Sequence, residues 1–189
     1  MLTLNQTDDA GTTKGERFMS GTAPAGYSTV QPWLVSRDTG RLLDFITAAF
    51  RGRELARVPT QDGGIGHAEI RVGDSILLAF DAQPDWPDTP SMLRIYVEDA
   101  DATFHRAIAA GARVVTELDD TAWGDRGGRV RDPLGNIWWV VQHVEDVPAD
   151  EIAVRMQDRK YSEAMARAQA TLDAELGTGG NNWSSPPVL

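Results

Sequence analysis

Residues 67–81 read HAEIRVGDSILLAFD. Polar and apolar residues alternate from His67 to Val72, Gly73-Asp74 breaks the run, and an apolar stretch resumes at Ser75. Two strands joined by a tight turn account for that pattern. Upstream, QDGGIG (61–66) is turn chemistry and Arg53–Pro59 reads as a short strand. Before it, Asp38 suits a helix N-cap, and Leu42, Leu43, Phe45, Ile46, Ala49 and Phe50 follow at helical spacing. The unit opens with a strand over Tyr27–Ser36, in which Pro32 marks an edge or entry position. Residues 27–81 therefore spell β-α-β-β-β.

The same order returns after a proline-rich linker, AQPDWPDTP (82–90). Ser91–Glu98 is a strand, and Asp99 or Asp101 caps a helix bearing Ala102, Phe104 and Ile108, which Gly111 stops. Arg113–Leu118 is a strand, DDTAWGDRGG reads as a long loop with flexible glycines, Arg129–Arg131 is a short strand, DPLGN (132–136) a turn, and Ile137–His143 the last strand. Gly135-Asn136-Ile137-Trp138-Trp139-Val140 aligns with Gly73-Asp74-Ser75-Ile76-Leu77-Leu78. A duplicated unit of this kind lets two open sheets bury each other. The predicted class is α+β: two tandem βαβββ modules, at 27–81 and 91–146, with curved sheets enclosing a cavity. A long C-terminal helix over 147–176 carries Tyr161, Met165, Ala168, Leu172 and Leu176 at three- and four-residue spacing, a stripe that must cover this chain's sheets or a partner's. Residues 1–26, rich in Thr, Gly and Ala, are predicted to be disordered, and 177–189 to be a flexible tail.

Composition narrows the function. The chain has 189 residues, no cysteine, and 28 acidic against 18 basic side chains, for a net charge of −10. The excess of acid argues against a nucleic-acid binder. Thiol catalysis, disulfides and cysteine-held zinc are excluded. No apolar run is long enough for a membrane span or a secretory signal, so a cytoplasmic protein that does not enter membranes is expected. Residues 27–146 hold nineteen of the acids against twelve arginines. We read that excess as a solvated surface.

HAEIRVGDSILLAFD in the first unit, with YVEDADATFHRAIAAGARVV (96–115) and WGDRGGRVRDPLGNIWWV (123–140) in the second, resembles the vicinal-oxygen-chelate superfamily. This is the glyoxalase, bleomycin-resistance and extradiol-dioxygenase group, and the PhnB-like branch is the nearest in look. The resemblance implies a cavity in each curved sheet and a homodimer. In metal-using members the ligands come from the first and last strand of each module, usually His or Gln on the first and Glu on the last. Carried onto this chain, those positions hold Gln31, Leu77, Met92 and Trp139; a one-residue slip gives Pro32, Leu78, Leu93 and Val140. Only Gln31 offers an oxygen or nitrogen donor that suits a divalent ion. No metal and no other cofactor is therefore expected.

An apolar and aromatic wall stands where the ligand set would be. Strand alternation puts Gln31 with Trp33 and Val35, Met92 with Arg94 and Tyr96, and Trp139 with Val141 and His143. The predicted ligand-binding set is Gln31, Trp33, Leu77, Met92, Arg94, Tyr96, Trp139 and Val141, suited to a small apolar or aromatic organic molecule. Of the paired tryptophans, Trp138 faces the core and Trp139 the cavity. His67 and Glu69 share a strand face and are the candidate catalytic pair, His as a base oriented by Glu. Arg126 or Arg129 is placed to grip a carboxylate or phosphate, or Asp125 and Arg126 only fasten their loop. Three functions stay open: a metal-free binding protein, a metal-independent acid–base enzyme acting on a carbonyl-containing substrate, and a metal-dependent lyase or dioxygenase with non-standard ligands.

Overall fold

The computed structural model describes residues 23–178, residue 25 excepted. The disorder expected over 1–22 and the flexibility expected beyond 178 lie outside the described residues. The first module runs β1 (Trp33–Ser36), α1 (Thr39–Phe50), β2 (Arg53–Pro59), β3 (Ile65–Val72) and β4 (Ser75–Asp81). The second runs β5 (Met92–Tyr96), α2 (Ala100–Ala109), β6 (Arg113–Asp120), β7 (Asp125–Arg131) and β8 (Ile137–His143). Helices α3 (Ala149–Arg155) and α4 (Arg159–Thr178) follow. The strand orders are β1-β4-β3-β2 and β5-β8-β7-β6, the same arrangement twice. In each sheet the first strand pairs parallel with the last, and the other pairs are antiparallel.

The two helices start alike. Asp38 accepts from the Arg41 backbone N–H at 2.9 Å, and Asp99 from that of Ala102 at 2.8 Å. Each satisfies an amide that the first turn leaves without a partner. The apolar stripe of α1 is buried as its spacing predicts. It packs on Leu34, Ala68, Ile70, Leu77 and Ala79 of the first sheet, and this core continues into Phe104, Val130, Trp138 and Val140 of the second module. The modules meet through α1 and α2. Phe50 lies 4.7 Å from Trp138 between ring centroids, and Arg106 Nε donates to the Ala49 carbonyl at 3.2 Å. The helices thus occupy the inner faces of both sheets. The sheets stay open, and each turns its other face away from α1 and α2.

Several sequence expectations need correcting. The first strand begins at Trp33, not Tyr27: Pro32 has no N–H for the ladder, although its carbonyl still accepts from Leu78 N–H at 3.0 Å. The loop expected over 119–128 is largely strand, because β6 runs to Asp120 and β7 starts at Asp125. Its glycines are required by close approach rather than by flexibility. A Cβ on Gly127 would lie 2.9 Å from the Val140 carbonyl oxygen, and one on Gly128 2.8 Å from that of Thr116. The C-terminal helical stretch is two helices, with Asp158 Oδ1 accepting from Lys160 N–H at 2.8 Å where α4 begins. Leu176, expected in the buried stripe, is 54% exposed, and Ala164 is buried instead.

Candidate functional site

The outward face of the first sheet carries Trp33 of β1, His67 and Glu69 of β3, and Leu78 and Phe80 of β4. Register fixes that face: Trp33 pairs with Leu78, and Leu78 with Glu69. Trp33 meets His67 and Phe80 edge-on at centroid distances of 5.6 and 5.3 Å. His67 Nε2 lies 3.1 Å from Glu69 Oε1, so the expected pair forms. The neighbouring Tyr27 hydroxyl and then His67 hold the Glu69 carboxyl below its usual pKa. Gln31 spends both ends of its amide locally, donating to the Ile76 carbonyl and accepting from Ser28 N–H at 3.2 Å.

Leu77 is a correction. It pairs with Ile70, is buried, and faces α1 rather than the outward face. Leu78 takes the outward position. The slip has a structural cause. The β3–β4 turn has two residues, Gly73 and Asp74, whereas five residues (132–136) separate the paired Arg131 and Ile137. Aligning the two glycines therefore shifts β4 against β8 by one residue, which exchanges faces.

On the second sheet, Met92, Arg94 and Tyr96 of β5 share the outward face with Trp139, Val141 and His143 of β8. Asp125, Gly127 and Arg129 of β7 complete it. The chain covers part of this face itself. Helix α4 lies across β6 and β7: Thr116 Oγ1 and Thr171 Oγ1 are 2.8 Å apart, Arg167 Nη2 is 2.6 Å from Asp119 Oδ2, and Glu175 pairs with Arg113 and Arg131. The amphipathic stripe thus docks on its own second sheet.

Between that sheet and α4 is a pocket of about 420 Å³, lined by Trp123, Gly127, Arg129, Trp139, Met165 and Ala168 among others, with a mostly apolar wall. Of the expected ligand-binding residues, only Trp139 lines it. Met92, Arg94, Tyr96 and Val141 sit on the same sheet face outside the pocket, and Gln31, Trp33, His67 and Glu69 belong to the other sheet. The sequence reading missed the wall that α4 contributes and the part played by Trp123. A signal for it existed, since Ala164, Met165 and Ala168 lie on one side of a helix.

Two polar groupings frame Trp139. The guanidinium carbons of Arg94 and Arg129 stand 4.7 and 4.4 Å from its ring centroid. Arg94 is itself held by the buried Asp125, whose carboxylate also accepts from Trp123 Nε1 at 3.0 Å and lies 2.9 Å from His143 Nδ1. Arg126 holds Asp101 through two bonds, at 2.7 and 2.8 Å, and also Asp120, so it fastens the loop. Contact with Asp125, and then Asp146, raises the His143 pKa above its ordinary 6.5. A raised folded-state pKa contributes stability below about 6.5, and that contribution is lost as pH climbs through the folded value. A His143 ring titration by NMR is expected to show a midpoint above 6.5, and Asp125→Asn to bring it down. An unchanged midpoint in the variant would remove Asp125 as the cause.

The metal site that metal-using members of the resembled superfamily carry does not fit these residues. The corresponding strand positions hold Gln31, Leu78, Met92 and Trp139. Leu, Met and Trp give no hard donor, and both ends of the Gln31 amide are engaged. Among the described residues, no three His, Asp or Glu side chains group closely enough to hold an ion.

The model of the Glyoxalase/Bleomycin resistance protein/Dioxygenase superfamily matches residues 28–140. An uncharacterized protein of Mycobacterium bovis, Mb0911c, is 38% identical over 141 residues, which span 69% of this chain and 93% of that protein. TioX from Micromonospora sp. ML1 superposes with a TM-score of 0.54 at 31% identity, over 62% of this chain and 99% of TioX. The PhnB protein from Bacillus cereus shares the fold, with a TM-score of 0.51 at 16% identity over 61% of this chain and 99% of its own.

Proposed function

Because this chain belongs to the Glyoxalase/Bleomycin resistance protein/Dioxygenase superfamily, we propose that it uses the superfamily's fold to bind a small aromatic organic molecule without a metal ion. One observation carries the reading: the 420 Å³ pocket between the second sheet and α4. Its size falls within the range of small-molecule sites, roughly 300–1,000 Å³. Its wall supplies the indoles of Trp123 and Trp139 and the flexible thioether of Met165, groups that accept flat, polarisable surfaces.

Calorimetric titration with a neutral planar probe, anthraquinone-2-carboxamide, tests this. The full chain is expected to bind one probe saturably. Met165→Glu, which puts a charge into the wall, is expected to weaken binding about tenfold or more, on the order of 1.4 kcal/mol. Absence of saturable wild-type binding by both this probe and the corresponding carboxylate would remove the reading.

A second reading rests on the His67–Glu69 contact, 3.1 Å long beside Trp33. It makes the outward face of the first sheet an acid–base site for a carbonyl-containing substrate. Turnover that survives both His67→Ala and Glu69→Gln would eliminate it. The same face exposes Trp33 and Val58, at 46% and 53%. A cytoplasmic homodimer that covers this face is part of the proposal, and light scattering on the purified chain should return twice the 20.6 kDa mass. No helix among the described residues is long and apolar enough to cross a membrane.

A further inference from the structure

Arg129 is an unusual residue to find in the wall of an apolar pocket. It sits on β7 opposite Thr116 and is only 7% exposed. Its Nη1 donates to Thr116 Oγ1 at 3.2 Å and to the Ala168 carbonyl of α4 at 2.8 Å. Its Nε is buried with no acceptor. A guanidinium has five N–H groups and cannot shed its charge in a protein. Three of the five, on Nε and Nη2, find no acceptor among the described residues.

The acids around the pocket are engaged or distant in role. Asp119 pairs with Arg167, Asp120 with Arg126 and Lys160, and Glu117 is exposed on β6. Across the sheet, Arg94 has its own carboxylate in Asp125. Among the described residues Arg129 has none, and its guanidinium stands over the Trp139 ring instead. Burial alone pushes its pKa down, with no carboxylate opposing the shift. Anchoring α4 does not explain this residue: that contact uses Nη1, and a neutral donor would serve without burying a charge.

We propose that Arg129 is the anion-recognising group of the pocket, and that the ligand is an aromatic molecule bearing a carboxylate. The inference rests on the aromatic-pocket reading and adds a charge to its ligand. A planar fork with free N–H groups matches a carboxylate edge, while the neighbouring apolar wall takes the ring system. Drawing the carboxylate out of water supplies the counter-charge that the protein withholds.

The test compares two probes of one shape, anthraquinone-2-carboxylate and its neutral carboxamide, titrated calorimetrically into the full chain. The wild type is expected to bind the carboxylate about tenfold or more tightly than the amide. Arg129→Met is expected to abolish that preference by weakening the carboxylate alone. Arg129→Lys keeps the charge but loses the fork, and should retain only part of the preference. Equal affinity of the wild type for both probes would overturn the role of Arg129 and leave the aromatic pocket standing. Failure of both probes to bind would overturn the pocket and this inference together. The wild-type comparison needs no variant, so it decides the matter even if Arg129→Met releases α4.

Discussion

Trp138→Ala is expected to cost about 3–5 kcal/mol of folding stability, the range for removing a fully buried large aromatic side chain. Trp138 is 2% exposed and sits where the modules share their core, against Phe50 of α1. Its loss therefore opens a cavity under both helices rather than at one edge, and the surrounding strands are tied into ladders that cannot collapse to fill it. The neighbouring Trp139→Ala is the informative control. Trp139 points outward and holds two guanidiniums by cation–π contact, so its removal should cost only about 1–2 kcal/mol. Urea denaturation of both variants checks the contrast. Similar losses for the two would mean that the assignment of their faces is wrong.

Asp132→Ala is expected to be comparably damaging, again about 3–5 kcal/mol, for an electrostatic reason. The Asp132 carboxylate lies 4% exposed in the turn before β8. It accepts from the backbone N–H groups of Leu134 and Asn136 at 2.8 and 2.9 Å, from Asn136 Nδ2 at 2.9 Å and from Trp138 Nε1 at 2.9 Å. Alanine leaves these buried donors without an acceptor, and each unmet donor costs about 1–3 kcal/mol. Asp132→Asn keeps one carbonyl oxygen and should lose less. Denaturation midpoints ordered wild type, Asn, Ala are the expected result; an Ala variant as stable as the wild type would show that water replaces the carboxylate.

The duplicated fold was legible because both of its periods were written clearly. The α1 stripe from Leu42 to Phe50 buried as spacing required. Alternation at Trp138-Trp139 correctly sent one ring to the core and the other outward. What alternation could not supply was parity across turns of unequal length, and Leu77 was placed on the wrong face for that reason. Strand β7 was hidden by Gly127 and Gly128, which carry little strand propensity yet are needed where backbones and side chains crowd. The stripe on α4 showed that a face would be covered, but periodicity names the buried residues of a helix and not the surface that receives them. The pocket was out of reach for the same reason. Six of its sixteen lining residues come from α4, and Arg129 is recognisable as a buried cation in a pocket wall only once that helix is in place.

The most direct measurement of the central claim is a crystal structure of the full chain grown with anthraquinone-2-carboxylate. Density is expected for one probe between the second sheet and α4, with its rings against Trp139 and Met165 and its carboxylate at the Arg129 guanidinium. Density confined to the outward face of the first sheet, beside Trp33 and His67, with the space under α4 empty, would contradict it.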